Sequence, residues 1–340
     1  MKAALSLFLI LYSVFIVPSV YAQEKISNNE FSLGVYPTTI QIEAENGANP
    51  IAKINIENKS KQAVTLIPSY RFFKDSARHN GEIEYISDKD LDQSEKDLLN
   101  NLKLYDGDPP SPKAGISTNK ITLLPYQTKE LKLNIDLSGS QGRGDYYFSI
   151  IFSTETKNQL ADESVAQITP GVASNIILSI GNKDIPAGSI AEYKAPPLLF
   201  TGPVPITLLI ANNGKNSFIP SGDIIVKNMF GKQIGIAQIK PGIILSGAKR
   251  YTSSQDNNLT QEEALALQNK YQISNDVIIW NDNFLFGFYT ADLRLQLSPT
   301  SPVFERSISF IVIPIYMIAA ITLLLFVALS IYIKTKRKTE

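Results

Sequence analysis

The C-terminal hydrophobic run constrains this chain more than any other part of its sequence. No charged residue occurs between Ser307 and Ile333. As a helix, the 23 residues Ile311–Ile333 would measure roughly 34 Å, enough to cross a hydrocarbon core of about 30 Å. The cations that follow are Lys334, Lys336, Arg337 and Lys338. Because cations on one flank favour the cytoplasmic side, the sequence predicts a transmembrane helix at 311–333, a cytoplasmic tail at 334–340 and an exported body.

The N-terminus also indicates export. Lys2 precedes an apolar core, and Val20 and Ala22 are small residues at the two positions that a signal peptidase requires. We therefore predict a signal peptide at 1–22. An uncleaved membrane helix is the alternative, because the basic end is so short. Both alternatives give a single-pass, type I protein of the cell membrane whose N-terminal body is extracellular.

Composition narrows the classes of function. Lys and Arg number 32, as do Asp and Glu, but the two ends hold net positive charge, so that the exported part is mildly acidic. Nucleic-acid binding needs clustered cations and is not expected. The absence of cysteine excludes disulfides and thiolate metal sites, and the single histidine, His79, cannot make a multi-histidine zinc site. We expect no metal, no cofactor and no enzyme activity, and an exported chain without disulfides suggests a bacterial source.

Short alternating segments dominate the body. Apolar and polar residues alternate at 38–43, at 52–57 and, over seven residues, at Leu131–Leu137. Such alternation is typical of half-buried antiparallel strands. Because the segments are short, numerous and bounded by turn residues, they predict an all-β fold of Ig-like antiparallel sandwiches with short helical insertions.

The pattern occurs twice, which predicts two tandem sandwiches. A strand that runs into Asn58 is echoed by one that runs into Asn212, and Gly144-Asp145-Tyr146 is echoed by Gly287-Phe288-Tyr289. Turn-forming residues separate the two halves near residue 183. We predict a first domain at 23–182 with an insertion at about 87–112, and a second at 183–306 with a helical insertion at about 260–271.

Tyr146 and Tyr289 begin the strand that follows each turn glycine. This position resembles the tyrosine corner of Ig-like sandwiches, in which the hydroxyl bonds back to the backbone. We predict a structural role for both tyrosines and for Gly144 and Gly287 before them. The same reasoning makes Arg143-Gly144-Asp145 a turn and not an adhesion tripeptide, because such a turn needs glycine and tolerates polar neighbours.

The acidic insertion is the candidate binding site. Ser87–Tyr105 places its leucines near one helical face, with a capping start at Ser87-x-x-Asp90, and a proline-rich turn ends it. Packing of the leucines on the sandwich would leave the polar residues outward. The candidate partner-binding residues are Asp90, Asp97, Asp106, Asp108, Pro109 and Pro110. An insertion that merely covers a sheet edge is the open alternative.

The order of these segments resembles a known family. Val35-Tyr36-Pro37-Thr38-Thr39-Ile40, Gly81-Glu82-Ile83-Glu84-Tyr85 and Ile121–Thr128, followed by Gly144-Asp145-Tyr146, are similar to Ig-like domains of the pilus-chaperone type. The chain also resembles bacterial WxL-interacting surface proteins, which carry two such domains and a C-terminal membrane helix. Residues 242–250 differ from the second-domain motif of that family. The resemblance implies binding or assembly at the cell surface, without catalytic residues.

These features lead to two hypotheses about function. The first is a membrane-anchored bacterial surface protein that binds or scaffolds another surface protein or a cell-wall glycan. The second is an extracytoplasmic assembly chaperone that donates an edge strand to secreted subunits. A chaperone would have a long, apolar and unpaired edge strand, whereas the edges of a scaffold would be short or charged.

Overall fold

The computed structural model describes residues 32–107, 119–137, 141–155, 170–181, 183–255, 260–271, 276–282 and 285–339. The predicted signal peptide lies outside these residues, as do Asp108, Pro109 and Pro110. Strands dominate the described part of the chain, and they form two sandwiches. The mostly β, Ig-type fold that the sequence predicts is confirmed, whereas the exact domain bounds stay a prediction.

The first sandwich consists of two sheets. Its strands are β1 (Leu33–Tyr36), β2 (Thr39–Ala44), β3 (Ile51–Asn58), β4 (Val64–Asp75), β5 (Ile83–Tyr85), β6 (Leu102–Asp106), β7 (Ile121–Leu123), β8 (Thr128–Ile135), β9 (Gly144–Thr154) and β10 (Gly171–Ile180). One sheet has the order β1-β3-β8-β6, and the other has the order β2-β10-β9-β4-β5, with β7 also paired to β4. β2 runs parallel to β10, whereas the other strands of these sheets pair antiparallel.

The alternation in the sequence builds the first core. On β8, Leu131, Leu133 and Ile135 are fully buried, and the residues between them are only partly covered. Side chains along a strand point to opposite faces in turn, so that one face of the sheet packs against the other sheet. Each fully buried Leu or Ile contributes about 1.5–3 kcal/mol relative to an exposed one. The core of the first sandwich therefore follows from the period of two in its sequence.

The second sandwich repeats the plan. Its strands are β11 (Gly188–Lys194), β12 (Leu198–Leu199), β13 (Val204–Asn212), β14 (Ser221–Asn228), β15 (Gln233–Gln238), β16 (Lys249–Tyr251), β17 (Ile278–Trp280), β18 (Gly287–Gln296) and β19 (Val303–Val312). One sheet has the order β11-β13-β16, with β17 also paired to β13, and the other has the order β12-β19-β18-β14-β15. In both sandwiches the first strand changes sheets, and its second part pairs parallel with the last strand.

The helix of the acidic insertion is shorter than the sequence predicts. α1 (Gln93–Asn100) begins after Asp92, whose carboxylate accepts a hydrogen bond from the N–H of Glu95 while the Glu95 side chain accepts one from the N–H of Asp92. The predicted cap at Ser87-x-x-Asp90 is therefore wrong. The predicted continuation to Tyr105 is also wrong, because 102–106 pair with β8 as strand β6.

Two further helices complete the described chain. α2 (Gln261–Tyr271) lies in the predicted insertion of the second half. α3 (Ile315–Thr339) has 25 residues. It begins four residues later than predicted, because Ile311 and Val312 belong to β19.

The first part of α3 is apolar and exposed. Leu323, Leu324, Leu325 and Phe326 each have between 64% and 68% of their surface exposed. Among the residues covered by the description, no helix combines the length and the hydropathy expected of a membrane span. The flanking cations lie on α3, and their side chains are outside the description: Lys334, Lys336, Arg337 and Lys338.

Candidate binding edge and interdomain groove

Asp145 joins the two sandwiches. It lies at the start of β9, and its Oδ2 accepts hydrogen bonds from the backbone N–H and the hydroxyl of Ser217, both at 2.6 Å. Its Oδ1 accepts hydrogen bonds from the Asn216 amide at 2.7 Å and from the Ser179 hydroxyl at 2.8 Å. A hydrogen bond to a charged group contributes about 1.5–3 kcal/mol. One carboxylate of the first sandwich thus binds a turn of the second.

An apolar cluster lies beside this carboxylate. Phe73 and Ile177 of the first sandwich belong to the same buried cluster as Leu245 of the second. Tyr147 packs on the cluster, and its hydroxyl accepts a hydrogen bond from the N–H of Ser246 at 2.9 Å. Burial, first of all, raises the pKa of Tyr147 far above its ordinary value of 10.0. The hydroxyl therefore stays protonated, and the contact between the sandwiches is both apolar and polar.

A small cavity of about 110 Å³ lies in the same interface. Asp75 lines this cavity, and its Oδ2 is 3.4 Å from Nδ1 of His79. The N–H of Tyr251 donates to the His79 carbonyl at 2.7 Å. Desolvation raises the pKa of Asp75 above 3.8, while His79 and Arg250 act in the opposite direction. Arg250 donates to the carbonyl of Ile243 at 2.8 Å. This cavity is too small for a peptide, and its polar groups hold the interface.

A larger groove of about 390 Å³ runs between β2 and the second sandwich. Gln41 of β2 lines it on one side, the linker residues 183–186 line it between the sandwiches, and Phe218 and Ile219 line it on the other side. Lys183 Nζ is 2.6 Å from Glu43 Oε1, which ties the linker to β2. The groove is therefore open to solvent, mixed in polarity and bordered by an edge strand.

The pairing of β2 with β10 shows which backbone groups of β2 are free. The N–H of Asn175 donates to the carbonyl of Thr38, and the N–H of Gly181 donates to the carbonyl of Ala44, both at 2.9 Å. Backbone groups along a strand point to its two sides in turn. The even-numbered residues of β2 therefore bond to β10, and the odd-numbered residues point the other way.

The outer edge of β2 consequently offers the N–H and C=O groups of Thr39, Gln41 and Glu43. No strand among the described residues pairs with this edge. The inward side chains of Ile40 and Ile42 pack only partly on the first core. An extended polypeptide could bond to this edge and cover the remaining surface of both isoleucines. The structure thus places an open strand edge beside a groove.

The predicted acidic residues are separate from this edge. Asp90 is exposed in the turn before α1, and Asp97 accepts a hydrogen bond from Gln93 at 2.7 Å on the helix surface. Asp106 forms an ion pair with Lys129 at 2.7 Å, on strand β6. The structure therefore spreads these three carboxylates along the insertion and does not bring them together.

The predicted structural tyrosines bond to nearby backbone. The hydroxyl of Tyr146 donates to the carbonyl of Gly142 at 3.2 Å, and that of Tyr289 donates to the carbonyl of Phe286 at 3.1 Å. The glycines before them adopt positive φ angles: Gly144 (+134°) and Gly287 (+109°). A positive φ strains other residue types, so that glycine is required at both turns.

Sequence reasoning missed Asp145 and the β2 edge. Asp145 was interpreted only as part of a turn, although a carboxylate between a turn glycine and a buried strand is a signal that could have been noticed. The partners of Asp145 in the second sandwich are 71 and 72 residues away in the chain, and no local pattern identifies them. The alternation at 38–43 predicted a strand, but it does not say which of its edges is free.

No protein-family model and no curated protein matches this sequence. Among solved structures, a chain of the chaperone–tip adhesin complex of CFA/I fimbriae is 12% identical, with a TM-score of 0.35 over 81% of this chain and 98% of that one. A chain of the Salmonella enterica SafA pilin–SafB chaperone complex is 10% identical, with a TM-score of 0.33 over 82% and 97%. The E. coli chaperone DraB is 10% identical, with a TM-score of 0.33 over 81% and 98%. These neighbours include fimbrial chaperones, and values this low carry no information about activity.

Proposed function

We propose that this chain holds an extended segment of another exported protein by strand addition at the free edge of β2. The observation that carries the proposal is the unpaired edge at Thr39, Gln41 and Glu43, which borders the groove between the sandwiches. Main-chain hydrogen bonds would supply affinity, and the groove would accept side chains of the added strand. This action is that of an assembly chaperone, the second of the two hypotheses.

The nature of the edge supports this hypothesis in part. The edge is unpaired among the described residues, and its inward residues Ile40 and Ile42 are apolar, as strand addition requires. It is only six residues long, and its outward residues are polar. The short length and the charge of Glu43 are the properties expected of a scaffold, so that the support for a chaperone comes from the unpaired backbone and the apolar inward side chains. Binding of this kind needs no catalytic residue, and the absence of enzyme activity stays a prediction.

The cellular location of the chain is a separate proposal. We propose a type I bacterial membrane protein in which α3 is the anchor and both sandwiches lie outside the cytoplasm. The support is the uncharged sequence from Ile315 to Ile333, followed by cations. This uninterrupted run includes Tyr332, whose side chain lies outside the description. A helix of that length measures about 28 Å, close to the hydrocarbon thickness of about 30 Å.

Photo-crosslinking in the cells of origin tests the strand addition. A photoreactive amino acid replaces Thr39 in the full-length chain, and the crosslinked segment of the partner is sequenced by mass spectrometry. We expect adducts with an extended segment of an exported protein. The matched control carries the same photoreactive residue at Ser309, on an open edge of the second sandwich, where we expect no such adduct.

A proline variant makes the test specific for backbone pairing. Gln41→Pro removes an N–H from the free edge, which an edge strand tolerates. We expect the crosslink from position 39 to be lost while the melting temperature stays within a few degrees of the parent. Ser309→Pro removes an N–H from the other open edge and should leave the crosslink unchanged. Adducts that persist in Gln41→Pro would refute strand addition at β2.

A further inference from the structure

A group of exposed apolar side chains lies at the end of the second sandwich from which α3 departs. We call it the apolar collar; its members are Leu198, Phe200, Met229, Phe230, Phe286 and Phe288. Phe230 has 85% of its surface exposed, the largest fraction among the large hydrophobic side chains of the described residues. Large apolar side chains grouped on a surface mark a contact with a partner or a membrane.

Strand pairing brings the collar residues together. Phe288 and Leu198 are both paired with Ile311 on neighbouring strands, so that they lie on one face at the same end of the sheet. The Met229 side chain reaches the backbone of Gly287, because a Cβ built on this glycine would be 2.6 Å from the Met229 Cε. Leu198, Phe288 and Met229 therefore lie together at the adjoining ends of β12, β19, β18 and β14.

The hairpin tip that carries Phe230 is held rigidly. The Asn228 side chain accepts hydrogen bonds from the N–H groups of Phe230 and Lys232, both at 3.1 Å. The N–H of Gly231, with φ +75°, donates to the Asn228 carbonyl at 2.9 Å. Polar residues normally occupy such turns. A fixed turn that presents Met229 and Phe230 to solvent therefore indicates a contact that the described residues do not supply.

The short link to α3 identifies the partner. Only Ile313 and Pro314 separate Val312, the end of β19, from Ile315, the first residue of α3, a distance of at most about 11 Å in an extended chain. If α3 spans a bilayer from Ile315, the collar lies at the depth of the lipid headgroups. Phenylalanine and leucine side chains bury favourably there, and Lys232 adds positive charge beside the tip.

From this geometry we infer that the apolar collar inserts into the outer surface of the membrane and holds the second sandwich against the bilayer. The inference rests on the proposed anchor. It adds a second, peripheral contact with lipid, which fixes the direction in which the groove and the edge of β2 are presented.

Single-cysteine labelling tests the collar and the anchor separately, because the chain has no cysteine. Phe230→Cys, Leu324→Cys and Leu124→Cys are made in the full-length chain, labelled with an environment-sensitive fluorophore and reconstituted in phosphatidylcholine–phosphatidylglycerol vesicles that contain nitroxide lipids. Leu124 is the matched control. It is an exposed apolar residue in a turn, next to the β4–β7 pairing at Leu123, whereas the opposite end of β4 faces the second sandwich.

We expect strong quenching at position 324, clear quenching at 230 and none at 124. If the label at position 324 is quenched but the label at 230 is quenched no more than the control at 124, the collar is refuted and the anchor is supported. Quenching at 230 without quenching at 324 would refute the anchor and support a peripheral contact of the collar with lipid. The absence of quenching at both positions would refute both.

Discussion

The last strands of the two sandwiches differ in how much of their outer edge is paired, although the sandwiches share one strand plan. In the first, β2 covers β10 over Asn175–Ile180. In the second, β12 pairs with β19 only at Ile311 and Val312, so that the edge of β19 from Val303 to Phe310 is open among the described residues. An open edge of that length is a template for unwanted strand pairing.

A charge protects the longer edge. Arg306 is paired with Leu293, which is buried in the second core, and it therefore occupies the inward face of β19 although it is exposed. An inward-pointing charge prevents a foreign strand from packing there. The inward residues of β2 are Ile40, Ile42 and Ala44, none of them charged. The comparison teaches that an inward charge protects the edge of β19, whereas the inward face of β2 carries no charge.

The largest effect is expected from the tyrosine that begins β18. Tyr289 is buried, its ring centroid is 5.6 Å from that of Phe310, and its hydroxyl both accepts and donates a hydrogen bond at Phe286. Tyr289→Ala should lower the free energy of unfolding by about 3–5 kcal/mol. Tyr146→Ala, at the equivalent place in the first sandwich but only partly buried, should cost roughly 1–2 kcal/mol.

Urea unfolding measures this difference. Trp280 is the only tryptophan and contacts the Tyr289 ring, so that its fluorescence reports on the second sandwich, and circular dichroism reports on the whole body. Equal losses for the two variants would contradict the distinction between the tyrosines.

The next effect concerns the carboxylate that joins the sandwiches. Asp145→Asn leaves the N–H of Ser217 opposite an amide, and we expect a loss of about 1.5–3 kcal/mol at this contact. Hydrogen exchange of the Ser217 amide should become roughly ten- to a hundredfold faster. Asp223→Asn is the control, because the ion pair of Asp223 with Arg294 lies at the surface, where solvent screens it, and its loss should have little effect on stability. Unchanged exchange at Ser217 would show that the apolar cluster alone fixes the interface.

A smaller effect is expected when the protected edge is opened. Arg306→Ile removes the inward charge from β19, and the full-length chain in detergent should self-associate at least about tenfold more tightly, which is about 1.4 kcal/mol. Arg306→Lys keeps the charge and should behave like the parent. Sedimentation over a range of concentrations measures the change. If both variants remain monomeric, the protective role assigned to Arg306 is wrong.

The smallest effect is a dependence on pH at the interface. Because desolvation raises the pKa of Asp75 in the folded chain, folded protein binds this proton more tightly than unfolded protein. This term therefore favours folding at low pH and is lost as the pH rises from 3.8 through the raised value. Asp75→Asn lacks this titrating group, so its melting temperature should change less over that pH range than the melting temperature of the parent. Identical pH profiles would mean that His79 and Arg250 compensate the desolvation fully.

Local periodicity predicted the strands because it needs only neighbouring residues. The alternation at Leu131–Leu137 gives buried residues at each apolar position. The acidic insertion was harder, because Leu98 and Leu102 fit a helical spacing while Leu102 and Leu104 fit a strand spacing. Pairing of Leu102–Asp106 with β8 decides in favour of a strand, and this pairing is long-range.

The candidate site lay beyond sequence reasoning for the same physical reason. The free edge of β2 exists because residues 39–44 pair on one side with residues 175–180. The groove is lined in part by the turn that Asp145 binds, 71 residues away in the chain. Neither contact leaves a periodic or compositional trace. The sequence also does not show that Phe230 and Phe288 are exposed, because a phenylalanine in a β pattern is normally part of a core.

The connection of β19 to α3 has a mechanical consequence. A pull on the partner at β2 and on the membrane at α3 would load the molecule from end to end. β2 would then be loaded along its six pairs with β10, and β19 along its ten pairs with β18. A force directed along either strand would load the hydrogen bonds of that ladder together, in shear, and would not open them one at a time. If both proposals hold, these two ladders would carry the tension between the held protein and the membrane.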